Sequence, residues 1–293
     1  MSRDTETTDD APGQPTTDDD TIPSGADGTA EATERGLRSV LDPRTLPLRH
    51  RLGVLGLIVL ALLPVVLNPL DALTMAAALF FAMFVMSWDV VSGYTGQISF
   101  GHGVFFAVGA YTTTLLNLGF GIPPLVSIPA GVVLAAVAGV LIGVPALRLR
   151  GPYLSLVTLI APLILLQIFV YYSDIFGGEL GLSSPESLLG YAPYANYYLA
   201  FFLFLFILLV LLAVTRSNAG AVFTAIREDE DAVAAAGLNP AKFKTFAFVF
   251  SAAIGGLAGA MFVHTPVGSP RPSVLFTVVV NVEVIIAAIL GGM

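Results

Sequence analysis

The chain has 293 residues, of which 56% are hydrophobic and 12% charged, with a formal net charge of -8 at pH 7 and no cysteine. A composition this apolar and charge-poor excludes a soluble globule and identifies an integral membrane protein. The acidic balance excludes the basic patch that nucleic-acid binding needs, and the lack of cysteine removes disulfides, thiolate catalysis and cysteine-bound zinc or iron-sulfur clusters.

Residues 1–34 are rich in Asp, Glu, Thr, Gly and Pro, with Asp18, Asp19 and Asp20 in succession and almost no large apolar side chains. They cannot bury enough surface to offset ordering and read as a disordered acidic cytoplasmic tail. A signal peptide would start basic and turn apolar, which this tail does not. Residues 35–51 are a basic juxtamembrane segment holding Arg35, Arg38, Arg44, Arg49 and Arg51.

From 52 to 293 the chain reads as an all-α polytopic helix bundle. A span needs roughly 20 mainly apolar residues with every backbone group bonded inside it. Segments 52–68, 72–91, 98–117, 123–147, 152–173, 196–214, 242–264 and 274–290 qualify, about eight spans, with glycines and prolines at several edges that allow broken or re-entrant helices. With this count Arg35 to Arg51, Arg148 with Arg150, and Arg216, Arg227, Lys242 and Lys244 all fall on one side. The positive-inside rule makes that side, and the N-terminus, cytoplasmic.

Asp89 near the end of the second span reads as an end cap. Immediately after it, Gly93, Gly96, Gln97, Ser99, Gly101, His102 and Gly103 stand between two apolar runs. So many glycines and polar groups cannot form a lipid-facing helix; the segment is a broken helix or tight hairpin beside a translocation path, or else a cytoplasmic turn with a polar cap. No second histidine or paired carboxylate stands at metal spacing from His102, so no metal is expected, and a structural histidine hydrogen-bonded near the bundle end is the preferred reading.

The fourth span carries Gly131, Ala135, Gly139 and Gly143 at every fourth position, and the seventh carries Ala252, Gly256 and Ala260 beside Gly255 and Gly259. Such stripes let helix backbones approach closely in lipid.

Between spans six and seven, Asn218 can cap a helix start, Gly237 supplies a left-handed end, and Asn239-Pro240 opens the next helix. The expected element is one helix over 219–236. Val222, Ile226 and Val233 with Ala225, Ala232 and Ala236 form its apolar side, and Arg227, Glu228, Glu230 and Asp231 its charged side. This suits a groove on a partner protein; lying along the membrane surface is the alternative. In the last span, Asn281 and Glu283 add polar character to one turn, and an acid in hydrocarbon faces the bundle interior or a water path. No phosphate-binding Gly-x-x-x-x-Gly-Lys-Ser/Thr loop occurs, so ATP is not hydrolysed by that device here, and no hydrolase motif points to an enzyme or a cofactor.

Three stretches resemble the branched-chain amino acid ABC transporter permeases of the LivM type, relatives of the LivH type. They are Gly93-Tyr94-Thr95-Gly96-Gln97-Ile98-Ser99-Phe100-Gly101-His102 with Phe105, Gly109, Ala110 and Tyr111; Ala146 to Tyr153 with Val157-Thr158-Leu159; and Ala225 to Gly237 with Lys244, Phe246-Ala247-Phe248 and Ser251-Ala252-Ala253. The resemblance covers residues 52–292. It implies a type II-like importer permease paired with a second homologous permease subunit, two cytoplasmic ATPase subunits and an extracytoplasmic substrate-binding protein that delivers leucine, isoleucine, valine or related small amino acids or amides. It further implies that 219–236 is the coupling helix, with Arg227, Glu228, Glu230 and Gly237 at the ATPase contact and Gly93 to Gly103 near the path. Pro152 departs from the family pattern, and members continue past the pair matching Gly291-Gly292 with at least one more span, where this chain ends at Met293. An ATP-independent secondary transporter or channel, and a shortened assembly subunit that carries no substrate, are the competing classes.

Overall fold

A computed structural model of the chain describes residues 48–147 and 152–291. The expectations for the acidic tail, for the basic segment before residue 48, and for Arg148, Arg150 and Gly292 lie outside them. The chain divides into residues 1–58 and 59–293. In the first unit the described residues are helical and belong to α1 (Leu48–Leu62).

The second unit is all-helical among its described residues. It contains α2 (Pro69–Asp89), α3 (Gly103–Phe120), α4 (Pro124–Ala146), α5 (Pro152–Tyr171), the short α6 (Ser173–Phe176), α7 (Pro193–Thr215), α8 (Asn218–Glu228), α9 (Glu230–Ala235), α10 (Pro240–Val263), α11 (Pro272–Leu275) and α12 (Val278–Leu290). Seven helices among the described residues are long and apolar enough to cross a membrane, and an eighth apolar helix, Arg51–Val65, is shorter. The expected first span, 52–68, is helical as far as Val65, its last turn tightened into a 3-10 helix that contains Pro64. The chain is a multi-pass, all-α membrane protein.

Proline and asparagine set several starts. Asn68 Oδ1 accepts from the Asp71 amide at 2.9 Å ahead of Pro69, and Asn239 Oδ1 accepts from the Lys242 amide at 3.2 Å ahead of Pro240. Both are N-cap side chains followed by a proline whose missing N–H costs the first turn nothing.

Helix α10 is the axis of the bundle, with 67% of its apolar window buried against 22% for α5 and for α7. It lies against α2, α3 and α4, and the small-residue stripes explain how. A Cβ added at Gly109 of α3 would sit 2.0 Å from the Gly256 carbonyl oxygen, one at Gly259 would sit 1.9 Å from the Phe106 carbonyl oxygen, and one at Gly139 would sit 2.6 Å from the Ala252 Cβ. The backbones meet with no room for a methyl group, which is the close van der Waals packing that membrane helices use in place of a hydrophobic drive. Gly109→Ala should therefore destabilise the detergent-solubilised protein by about 1–3 kcal/mol through forced overpacking. Gly119→Ala, with nothing within 4 Å of its added methyl, should not. Equal thermal midpoints for the two variants would contradict this packing.

Candidate functional site

The site is built where two transmembrane helices are interrupted. The first interruption follows α2, whose last turn widens into a π-helical turn, Val90–Tyr94. Gly96, with φ +70°, then reverses the chain in a conformation that L side chains rarely adopt, and residues 95–102 fold back into the bundle as non-helical backbone. Such backbone needs partners at membrane depth, and neighbouring side chains supply them. Trp88 Nε1 donates to the Ser99 carbonyl at 2.6 Å, Thr95 Oγ1 to the Val91 carbonyl at 2.7 Å, and Ser155 Oγ to the Ile98 carbonyl at 2.8 Å. The Phe100 amide donates to Thr158 Oγ1 at 3.1 Å. A Cβ at Gly101 would fall 2.0 Å from the Thr158 carbonyl oxygen. The expected third span, 98–117, thus begins five residues late, because 98–102 belong to this return.

The second interruption lies at Phe276 and Thr277, between α11 and α12, in the expected last span 274–290. Asn281, 2% exposed, joins the two. Its Oδ1 accepts from the Gly103 amide at 2.8 Å, at the start of α3, and its Nδ2 donates to the Thr277 carbonyl at 3.2 Å. One amide side chain therefore gives the free N–H at the start of α3 an acceptor while donating to the N-cap carbonyl of its own helix, α12.

His102 is buried beside this joint. Ser251 Oγ donates to the Ser87 carbonyl, so the 2.6 Å contact between His102 Nε2 and Ser251 Oγ is made by an Nε2–H donor. Nδ1 is then the bare acceptor, and it has no hydrogen-bond partner among the described residues. The Phe84, Phe105 and Phe248 rings surround the imidazole. The histidine is hydrogen-bonded, but Ser251 lies midway along α10, so it is not at the bundle end. The histidine at the end is His264, whose Nδ1 donates to the Glu186 carbonyl at 2.6 Å and whose Nε2 accepts from Thr113 Oγ1 at 2.7 Å. Burial lowers the His264 pKa, opposed by the Glu186 carbonyl and charge.

The charged segment before α10 differs from the single helix expected over 219–236. Ser217, not Asn218, is the N-cap of α8, and its side chain accepts from the Ala219 amide. Asp229, at φ -156°, breaks the helix and caps α9, with Oδ1 accepting from the Asp231 and Ala232 amides at 3.0 Å each. An aspartate whose carboxylate can bind its own downstream amides competes with helix continuation. Gly237, at φ +84°, ends the pair as expected. Gly220, Phe223, Ile226 and Val233 are buried toward the bundle, whereas Ala225, Ala232 and Ala236 face outward. The apolar side is therefore shared between an inward aromatic-aliphatic face, on which Phe223 was not foreseen, and an outward alanine face.

The candidate contact residues divide the same way. Glu228 and Gly237 are exposed. Arg227, although exposed at its edge, turns back to the first interruption: Nη1 donates to the Gly93 carbonyl at 2.8 Å, and Gly96 lies against its side-chain stem, 3.1 Å from Cγ to the position of a Cβ. Glu230 forms a 2.7 Å ion pair with Lys244, which is only 3% exposed. Asp89 is not an end cap, since its side chain caps nothing and its Oδ1 has no hydrogen-bond partner among the described residues. Asn281 and Glu283 do not share a face. Two residues apart on a helix they point nearly opposite ways, and Asn281 is buried while Glu283 is exposed.

The first interruption and Asn281 are legible in the sequence, whereas Thr158 and Ser155, which bond the return segment, and Ser251, which bonds His102, are not. Lone hydroxyls in apolar spans give no signal until the segment they serve is known to be non-helical. Among the described residues no group of three metal-ligating side chains comes together.

A profile of the family described as "Branched-chain amino acid transport system / permease component" matches residues 69–293. The chain is 32% identical over 300 residues to the high-affinity branched-chain amino acid transport system permease protein LivM of Escherichia coli (strain K12), covering 89% of this chain and 70% of that protein. It is 32% identical over 233 residues to the protein of the same name in Salmonella typhimurium, covering 70% of this chain and 54% of the relative. A probable branched-chain amino acid transport permease protein LivM of Methanocaldococcus jannaschii is 27% identical over 178 residues, covering 57% of this chain and 52% of that protein. No solved structure matches the chain.

Proposed function

The chain belongs to the family of branched-chain amino acid transport permeases, and from that premise we propose that it forms the membrane path of an ATP-binding cassette importer for leucine, isoleucine, valine or related small amino acids or amides. It is a transport subunit and not an enzyme. Its partners are a second homologous permease subunit, two cytoplasmic ATPase subunits that receive α8 and α9, and an extracytoplasmic binding protein. The excess of Lys and Arg at the α8–α9 end supports a cytoplasmic N-terminus and a cytoplasmic docking end.

The observation that carries the mechanism is the hydrogen bond from Arg227 to the Gly93 carbonyl. A partner that moves α8 also pulls on the π turn and on the return segment, since Arg227 holds Gly93 and packs on Gly96. The return segment ends at Gly103, and Asn281 passes the displacement to the second interruption. Non-helical joints absorb backbone rotation more readily than continuous helices, so the two interruptions are the hinge pair of an alternating-access bundle. The Lys244–Glu230 pair fixes α9 to the start of α10 and keeps the docking unit rigid.

The test is affinity purification of the chain from gently solubilised native membranes, followed by reconstitution with whatever co-purifies. Recovery of a second permease and ATPases, with ATP-dependent uptake of radiolabelled leucine, is the expected result. Uptake driven by an ion gradient without ATP would overturn it in favour of a secondary transporter.

A further inference from the structure

The outer faces of this bundle differ in chemistry. Inside their spans, the exposed side chains of α4 and α7 are aliphatic or aromatic, Val137, Leu141, Phe202 and Phe206 among them, which acyl chains accept. Helices α5 and α12 touch, and each carries an exposed group that acyl chains cannot serve, Gln167 on α5 and Glu283 on α12. On insertion scales an acid at the centre of a span costs roughly 2.5–3.5 kcal/mol against lipid.

These groups succeed one another along the bundle axis. The Phe169 ring packs on Phe276 with centroids 4.8 Å apart, so Gln167 is level with the second interruption. Glu283 lies six residues beyond Thr277, about 9 Å further along α12. Still nearer the charged end, a cavity of about 670 Å³ opens between α5 and the return segment, lined in part by Gln97 and Ser155. Hydrogen-bonding groups thus recur at three levels on the flank of α5, as solvent crossing a bilayer requires, and between them stand aliphatic side chains such as Ile164 and Ile286.

We propose that the α5–α12 face, marked by Gln167 and Glu283, is the water-exposed wall of the substrate path, closed on its far side by a second permease subunit and not by lipid. The inference rests on the permease reading above. A wall that alternates amide, carboxylate and aliphatic groups suits a zwitterion with an aliphatic side chain, and Glu283 is the acceptor for its ammonium group in passing.

Because the chain has no cysteine, single cysteines report accessibility cleanly. Gln167→Cys, Glu283→Cys and Ile286→Cys are compared with Val137→Cys and Phe206→Cys in the complex from native membranes, using a charged, membrane-impermeant methanethiosulfonate. Ile286→Cys keeps the carboxylate in place should Glu283→Cys fail to assemble. Labelling at 167 and at 283 or 286 at least ten-fold faster than at 137 and 206 is expected. Equal rates would overturn the proposal, whether lipid or dry protein covers the face. ATP-dependent uptake by the unaltered complex is read in parallel: uptake without fast labelling sinks this inference alone, and fast labelling without uptake sinks the importer reading alone.

Discussion

Replacing Arg227 by alanine is expected to reduce ATP-dependent uptake at least ten-fold while the ATPase subunits still co-purify. The substitution removes the donor to the buried Gly93 carbonyl and the side-chain stem on which Gly96 rests. A buried carbonyl left without its partner costs roughly 1–3 kcal/mol, and a coupling free energy of that size corresponds to a roughly 5- to 150-fold effect. Read from charge alone, Arg227 belongs to the docking surface, and reversal to glutamate should then break docking. Its inward hydrogen bond predicts a different separation, in which docking survives and transmission fails. Arg227→Lys should recover part of the uptake, because an ammonium group can reach a carbonyl but lacks the planar fork that holds it in one geometry. Glu228→Ala, at an exposed neighbouring position, should instead weaken ATPase co-purification. Co-purification lost in Arg227→Ala and intact in Glu228→Ala would reverse these assignments.

Much of this architecture is legible in the residues themselves. Length and apolarity locate the long helices, since a span has few alternatives in hydrocarbon. The stripe from Gly131 to Gly143 gives a close helix contact, because small residues at every fourth position have few other uses there. The polar glycine segment is legible as an interruption because Gly93, Gly96 and Gly101 recur where a span should continue. Depth is not legible there. The same residues fit a turn at the membrane surface, and only Trp88, Ser155 and Thr158, from two other helices, show that the chain re-enters the bundle. The second interruption has weaker local signals, for Phe276-Thr277 lies in an apolar run and the break is stabilised by Asn281 from the following turn. The division of α8 from α9 at Asp229 is a local competition between side-chain capping and helix propagation, two outcomes close in free energy that composition does not separate. Pairing is the hardest to read: Arg227 with Gly93, and Lys244 with Glu230, depend on where α8 and α9 sit against the bundle.

Asn281→Leu should bring the second large loss, in stability as well as in uptake. Leucine preserves much of the volume but neither hydrogen bond, so the Gly103 amide loses its acceptor inside the bundle, and the Thr277 carbonyl keeps only the backbone donor of its own helix. The orphaned Gly103 amide costs roughly 1–3 kcal/mol, enough to lower the thermal midpoint clearly and to release the two interruptions from one another. Asn281→Asp keeps an acceptor at the start of α3, where the helix dipole favours negative charge, but loses the donor to Thr277 and buries a carboxylate. The expected order of stability is therefore Asn above Asp above Leu. Uptake should fall faster than stability along this series if Asn281 passes motion between the hinges, because a joint can stay folded and yet slip. Uptake that merely tracks the amount of folded protein in all three would make Asn281 a packing residue and leave the hinges uncoupled.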